Sequence, residues 1–171
     1  IYLFGDEAHG IKQDYHMAEK YFAVSWDLLH DRVTAAHYGY TCFCLGKAEK
    51  AKELLLFAYQ NGYILYSDFL ARMYNRGMLG ERNVAKALEY YQATYQAKQM
   101  SNCFTCIEYA ELLEETGQYT EAYDVAEYGE SEYREAFFLF FMVKLILSGK
   151  VPGKGKMDEV ESMMEACIQQ N

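Results

Sequence analysis

Leu70 to Ala93, LARMYNRGMLGERNVAKALEYYQA, reads as two short helices joined by a glycine turn. Tyr74 ends a first apolar face, and Gly77 and Gly80 break the helix. A second helix carries Ala87, Tyr90 and Tyr91 on one side, at the i, i+3, i+4 spacing of a helix face. The small Ala87 lets the two helices approach closely, and the tyrosines fill the space beside it. A hairpin of this size cannot bury its apolar face alone and needs stacked copies of itself.

The copies are present. Ala51 with Leu54 and Leu55 stands 36 residues before Ala87, and Tyr38 stands 36 before Tyr74. Upstream, Ala18 with Tyr21 and Phe22 stands 33 residues before Ala51. Downstream, Ala122 with Val125 and Ala126 lies 35 residues after Ala87, and Val160 with Met163 and Met164 forms a weaker last copy. Such periods suit stacked helix pairs, and they cover the whole chain.

These residues resemble the Sel-one-like repeat (SLR), a relative of the tetratricopeptide repeat, whose motif runs roughly L-G-x-x-Y-x-x-G-x-G-V-x-x-D-x-x-K-A-x-x-Y-Y. Gly10, Ile11, Asp14, Ala18, Tyr21 and Phe22 match its second half. Leu70, Ala71, Tyr74, Gly77, Asn83, Lys86, Ala87, Tyr90 and Tyr91 match nearly all of it, with Ala71 for glycine and Asn83 for aspartate. Ala110, Leu113, Gly117, Tyr119 and Ala122 stand at plain tetratricopeptide spacing. The second unit departs through its short turn Leu45-Gly46-Lys47, and the fifth through the long glycine-rich turn from Ser148 to Lys156. The resemblance implies an all-α fold: a right-handed α-solenoid of about five stacked helix-turn-helix repeats. It would be a single array over 1–171, a fragment of a longer protein, with units near 1–28, 29–62, 63–100, 101–130 and 131–171.

In chain order, Ile1 to Ala8 reads as the tail of a helix stopped by Gly10. Helices follow over Asp14 to Leu28, Arg32 to Cys44 with Asp31 as cap, and Lys47 to Tyr59, stopped by Asn61-Gly62. Further helices are expected around Ser67 to Tyr74, over Asn83 to Ala97, and from Ser101-Asn102 to Glu115. The eighth opens at Thr120 and ends at Gly129, the ninth runs from Ser131 to Leu147, and the tenth follows an Asp158 cap to Gln169. No stretch alternates with period two, so no strand is expected. Ala136 to Leu147, AFFLFFMVKLIL, is too short for a membrane span and contains Lys144, so it reads as a helix buried between neighbours.

Composition narrows the function classes. With 51% hydrophobic residues the chain can bury a sizeable core, and 17 tyrosines suit helix contacts that keep a hydroxyl near water. A formal charge of -9 argues against sequence-independent nucleic-acid binding and against docking on anionic lipid. Cys42, Cys44, Cys103, Cys106 and Cys167 do not recur once per repeat as the disulfide-bearing arrays of this type require. They read as reduced core thiols, which leans the chain towards the cytoplasm.

Several short motifs fail on context. Asp6-Glu7-Ala8-His9 spells a helicase box but lacks a phosphate loop: Gly149 to Lys156 has the wrong glycine spacing and follows a helix. Cys103 and Cys106 share a helix face, whereas Cys42 and Cys44 point apart, and a structural zinc wants four clustered ligands. His9, His16, His30 and His37 lack i, i+4 partners. No catalytic set, cofactor or metal is expected from these residues.

In arrays that the chain resembles, the first helix of each pair lines a concave groove holding an extended peptide or a protein segment. Anchored on Ala35, Ala71 and Ala110, this implies groove-facing Arg32, Ala36, Gly39 and Tyr40, then Asp68, Arg72, Asn75 and Arg76, then Ile107, Glu111, Glu114 and Glu115. Arg72, Asn75 and Arg76 offer a carboxylate fork and a backbone-binding amide, and the glutamates favour a basic side chain. The expected function is a protein-interaction scaffold or adaptor binding a protein or peptide partner. The alternative is an enzyme, or the non-catalytic part of one, acting on cell-wall or other small substrates. Self-association through exposed array ends is a further expectation.

Overall fold

The computed structural model describes residues 2–5, 12–154 and 157–169, apart from the side chains at 157–159, 166, 167 and 169. These residues form nine helices and no strand. In order they are α1 (Tyr15–Leu29), α2 (Arg32–Cys44), α3 (Ala48–Gln60), α4 (Ser67–Asn75), α5 (Val84–Gln96), α6 (Cys103–Glu115), α7 (Tyr119–Tyr133), α8 (Ala136–Leu147) and α9 (Met157–Gln169). They fall into two compact units, Ile1–Gln99 with α1 to α5 and Met100–Asn171 with α6 to α9.

Four of the helices start on an acid or amide that satisfies N–H groups the helix itself cannot. Asp14 accepts from the His16 and Met17 amides, both at 3.0 Å. Asp31 accepts from the Val33 and Thr34 amides at 2.9 and 3.0 Å and from the Thr34 hydroxyl at 2.6 Å. Asn83 and Asn102 each take one amide, from Lys86 and Thr105, at 3.0 Å. Thr120 does not cap α7: Gln118 occupies that position without a side-chain bond. Between α4 and α5, Gly77 lies at φ 64°, and a Cβ there would stand 3.0 Å from the Gly80 carbonyl, so the turn requires glycine.

Consecutive helices pack as hairpins, α2 on α3, α4 on α5 and α6 on α7. The recurring small-plus-large pattern marks their buried faces. Ala51, Leu54 and Leu55 are buried in α3; Ala87, Tyr90 and Tyr91 in α5; Ala122, Val125 and Ala126 in α7. Each fully buried Leu or Tyr contributes about 1.5–3 kcal/mol over leaving it in water.

Three expectations are corrected. Gly129 does not end a helix: α7 runs through it to Tyr133, and Arg134, at φ 54°, makes the break by donating its N–H to the Glu130 carbonyl. Gly129 is there for space, since a Cβ would lie 2.3 Å from the ring of Phe138, which is completely buried. Ser131 consequently sits in α7, and the next helix begins at Ala136. Second, the α1 face of Ala18, Tyr21, Phe22 and Leu28 is only partly covered: Ala18 is buried and Phe22 is half-buried against His37 of α2, but Tyr21 and Leu28 are exposed together with Val24, because α1 packs mainly on α2. Met164 and Ile168 of α9 are likewise exposed. Third, Tyr2 to Phe4 form a turn rather than a helix tail. The Asp6 to His9 box, Gly10 and Ile11, Lys156, and the side chains of Asp158 and Cys167 lie outside the described residues.

Candidate functional site

In the first unit, the seam between α2 and α4 is filled by rings. Tyr40 stacks on Tyr66 at 4.6 Å between centroids and tilts against Phe69 at 4.9 Å. Phe43 meets Phe69 at 4.8 Å, and His37 meets Tyr66 edge-on at 5.5 Å. Burial pushes the Tyr66 hydroxyl up to about 12. Burial also raises that of Tyr40, reinforced by hydrogen bonding with Cys44. Tyr40 is therefore a packing residue with a partnered hydroxyl.

The other expected groove residues of this unit divide. Arg32 is exposed, but its Nη1 donates to the Asn61 carbonyl at 2.9 Å, placing a cation at the α3 C-terminus. Ala36 is buried, and Gly39 packs on Leu55 of α3. Asp68 is completely buried in the first turn of α4. The Asn75 side-chain oxygen accepts from Arg82 Nε at 3.1 Å and Nη2 at 2.8 Å, which braces the turn into α5. Arg72 is half-buried, and Arg76, just past the helix, is exposed.

The second unit is built differently on the corresponding face. Ile107 and Glu111 of α6 meet Phe137, Phe140, Phe141 and Lys144 of α8, with Phe104, around an open pocket of about 410 Å³. Phe104 and Phe140, both on the rim of this pocket, remain 61% and 54% exposed. Partial burial lifts the Glu111 carboxyl above its ordinary range, with Lys144 opposing and Glu108 and Glu114 adding to the rise. Burial would raise Glu114 as well, but hydrogen bonds from Lys144 and Lys150 outweigh it and hold that carboxyl below its usual value. Lys150 lies 2.9 Å from Glu114, and Lys144 also sits 4.6 Å over the Phe141 ring. Glu115 is exposed on the last turn of α6.

Phe104, Phe137, Phe140, Phe141 and Lys144 were not expected at a site. The apolar run Ala136 to Leu147 reads as buried throughout, and Phe138, Leu139, Phe141, Met142, Val143 and Leu145 are, but Phe140 and Leu147 are not. Three of the thiols sit in settings that hold them protonated or hydrogen-bonded. Burial raises Cys42 to about 11 and raises Cys103 too, and the Cys106 thiol donates to the Val125 carbonyl at 3.6 Å. Among the described residues no three His, Cys, Asp or Glu side chains gather as metal ligands, and no helix is long and apolar enough to cross a membrane.

A protective antigen present in uropathogenic Escherichia coli strains, whose crystal structure displays an SLR fold, is similar to this chain. The two align with a TM-score of 0.69 over 94% of this chain at 18% identity. The chain spans 35% of that protein's length. At this identity the likeness is one of fold, and with the nine helices it identifies the architecture as the SLR fold. No protein-family model and no curated protein sequence matches the chain.

Proposed function

We propose that the protein is a non-catalytic interaction scaffold that holds a peptide or protein segment on the exposed faces of the first helices of its hairpins. Arg32, Arg72 and Arg76 would present cations in the first unit, over a floor that includes Tyr40, with Asn75 bracing the turn beside them. Ile107, Glu111 and Glu115 would present an apolar and acidic face in the second, with Glu114 steadying the lysines behind it.

The observation that carries this reading is the open pocket between α6 and α8. Its volume is in the range of ligand clefts, and it is lined by four phenylalanines and an isoleucine with one acid and one lysine beside them. Such a lining offers apolar area and orientation. A nucleophile needs the opposite of the environment that raises the thiols, and the acid nearest the rings has one lysine near it, itself engaged by Glu114.

The test is a comparison of bound proteins and peptides for the native chain, an Arg72→Ala/Arg76→Ala variant and a Phe104→Ala/Phe140→Ala variant. Partners reduced by one variant place binding on that unit's face. Partners indifferent to both, or turnover of a small substrate by the purified chain, would sink the scaffold reading.

A further inference from the structure

We infer that the pocket between α6 and α8 receives an apolar or aromatic anchor side chain from a basic protein segment, with a neighbouring lysine or arginine of that segment on Glu111. This rests on the scaffold reading above and adds the chemistry of the occupant. The pocket supplies the anchor site: exposed Phe104 and Phe140 flank Ile107, Phe137 and Phe141 around about 410 Å³. That space admits a leucine, phenylalanine or tryptophan side chain with part of its backbone.

Charge selects the segment that carries the anchor. Residues 100–171 hold 14 of the 25 acidic residues and 5 of the 16 basic ones, a difference of -9 that equals the charge of the whole chain. Residues 1–99 hold 11 of each and balance. Within the second unit α6 carries Glu108, Glu111, Glu114 and Glu115 and no lysine or arginine. The two lysines near the pocket, Lys144 and Lys150, both close on Glu114. Glu111 is left with one lysine nearby, already shared, and two like charges.

The same field disfavours the other occupants. Residues 100–171 of a second copy would bring an equally acidic unit, and an anionic membrane would be repelled. A basic segment is steered in, and its anchor is retained by the rings.

The experiment pans a phage-displayed random dodecapeptide library on the full chain. Enriched peptides are then titrated by fluorescence anisotropy at low and high salt. The proteins compared are the native chain, Phe140→Ala, Glu111→Gln and Arg72→Ala/Arg76→Ala. Phe140 and Glu111 are exposed, so both variants should keep native helical circular dichroism.

The expected peptides place lysine or arginine beside Trp, Phe or Leu. Their affinity falls about tenfold or more in Phe140→Ala and roughly two- to fivefold in Glu111→Gln. It weakens with salt and is unchanged in the double arginine variant. Acidic or anchorless peptides overturn the inference, as does affinity indifferent to Phe140→Ala and Glu111→Gln. Peptides lost only in the double arginine variant overturn the pocket assignment and leave the scaffold reading standing. No enrichment, with no protein partner in the comparison above, overturns both. Light scattering adds one arm: a dimer of the native chain that Phe140→Ala disperses would put a second copy in the pocket and overturn the basic-segment assignment.

Discussion

The two units solve the same packing problem with different side chains. Between α2 and α4 of the first, Tyr40, Tyr66, Phe69, Phe43 and His37 interlock, with ring contacts at centroid distances of 4.6 to 5.5 Å. Between α6 and α8 of the second, the corresponding rings splay around an open space, and the join is made beside them by Lys144 and Lys150 on Glu114. A ring seam is dry, dense and indifferent to salt. An ion-pair seam next to exposed phenylalanines leaves apolar area available and depends on pH and ionic strength. A repeat array can thus be rigid in one unit and receptive in another without changing its helix plan.

The sharpest way to break this contrast is inside α8. Phe138 is completely buried against Gly129 and stacks on Tyr133 at 6.4 Å, whereas Phe140 is half in water. Phe138→Ala should cost about 3–5 kcal/mol of stability, and Phe140→Ala should stay within about 0.5 kcal/mol. Equal losses in urea melts of the two variants would mean that the pocket rings are structural. In the first unit Phe69→Ala should cost about 3–5 kcal/mol, and the loss should not change with salt. The chain's single tryptophan, Trp26 of α1, gives that unit its own fluorescence signal.

Gly129 tests the fit from the other side. Gly129→Ala adds one methyl at 2.3 Å from the Phe138 ring and should destabilise by about 1–3 kcal/mol, despite alanine's better helix propensity. A gain in thermal midpoint would show that α7 and α8 have slack between them.

Gly129 also shows what sequence can reveal here. The small-plus-tyrosine ruler located the hairpins because close helix approach demands Ala51, Ala87 and Ala122 at fixed spacing, and all three are buried. A lone glycine carries no such phase. It serves equally as a helix stop and as a contact point, and Gly129 reads as the first while acting as the second. The α1 face looks amphipathic, yet Tyr21 and Leu28 are exposed, because a pattern fixes which face wants burial and leaves open what covers it. The pocket was hidden for the opposite reason. In AFFLFFMVKLIL nearly every residue is apolar, so nothing distinguishes Phe140 from its buried neighbours. Asn75 looked free for a peptide backbone, but its partner Arg82 lies across the turn, where no helix periodicity connects them. The acidity of residues 100–171 was legible once the chain is divided at the boundary between the units.

Asp31 and Glu114 sharpen the contrast at smaller amplitude, and both are carboxylates held below their ordinary range. Asp31 owes this to hydrogen bonds from Thr34. Asp31→Ala should cost about 0.5–2 kcal/mol as the loss of a helix cap. Glu114→Gln should cost less, at most about 1 kcal/mol, because its lysine partners are a third to a half exposed. The sign follows from linkage. A carboxyl with a depressed folded pKa contributes stability that is present above its unfolded value and is lost as pH falls through the folded one. Each mutant's deficit should therefore be full at pH 7 and shrink in acid, below the ordinary range near pH 4. Salt separates the two. The cap bonds of Asp31 come from two backbone amides and a hydroxyl, so that deficit should persist at high salt, while the Glu114 deficit should shrink with screening. Chemical melts of both variants across pH 3–7 at two salt concentrations would decide it. A Glu114 deficit as salt-resistant as that of Asp31 would mean that the second unit, too, is joined by packing, and that its lysines are free to face a ligand.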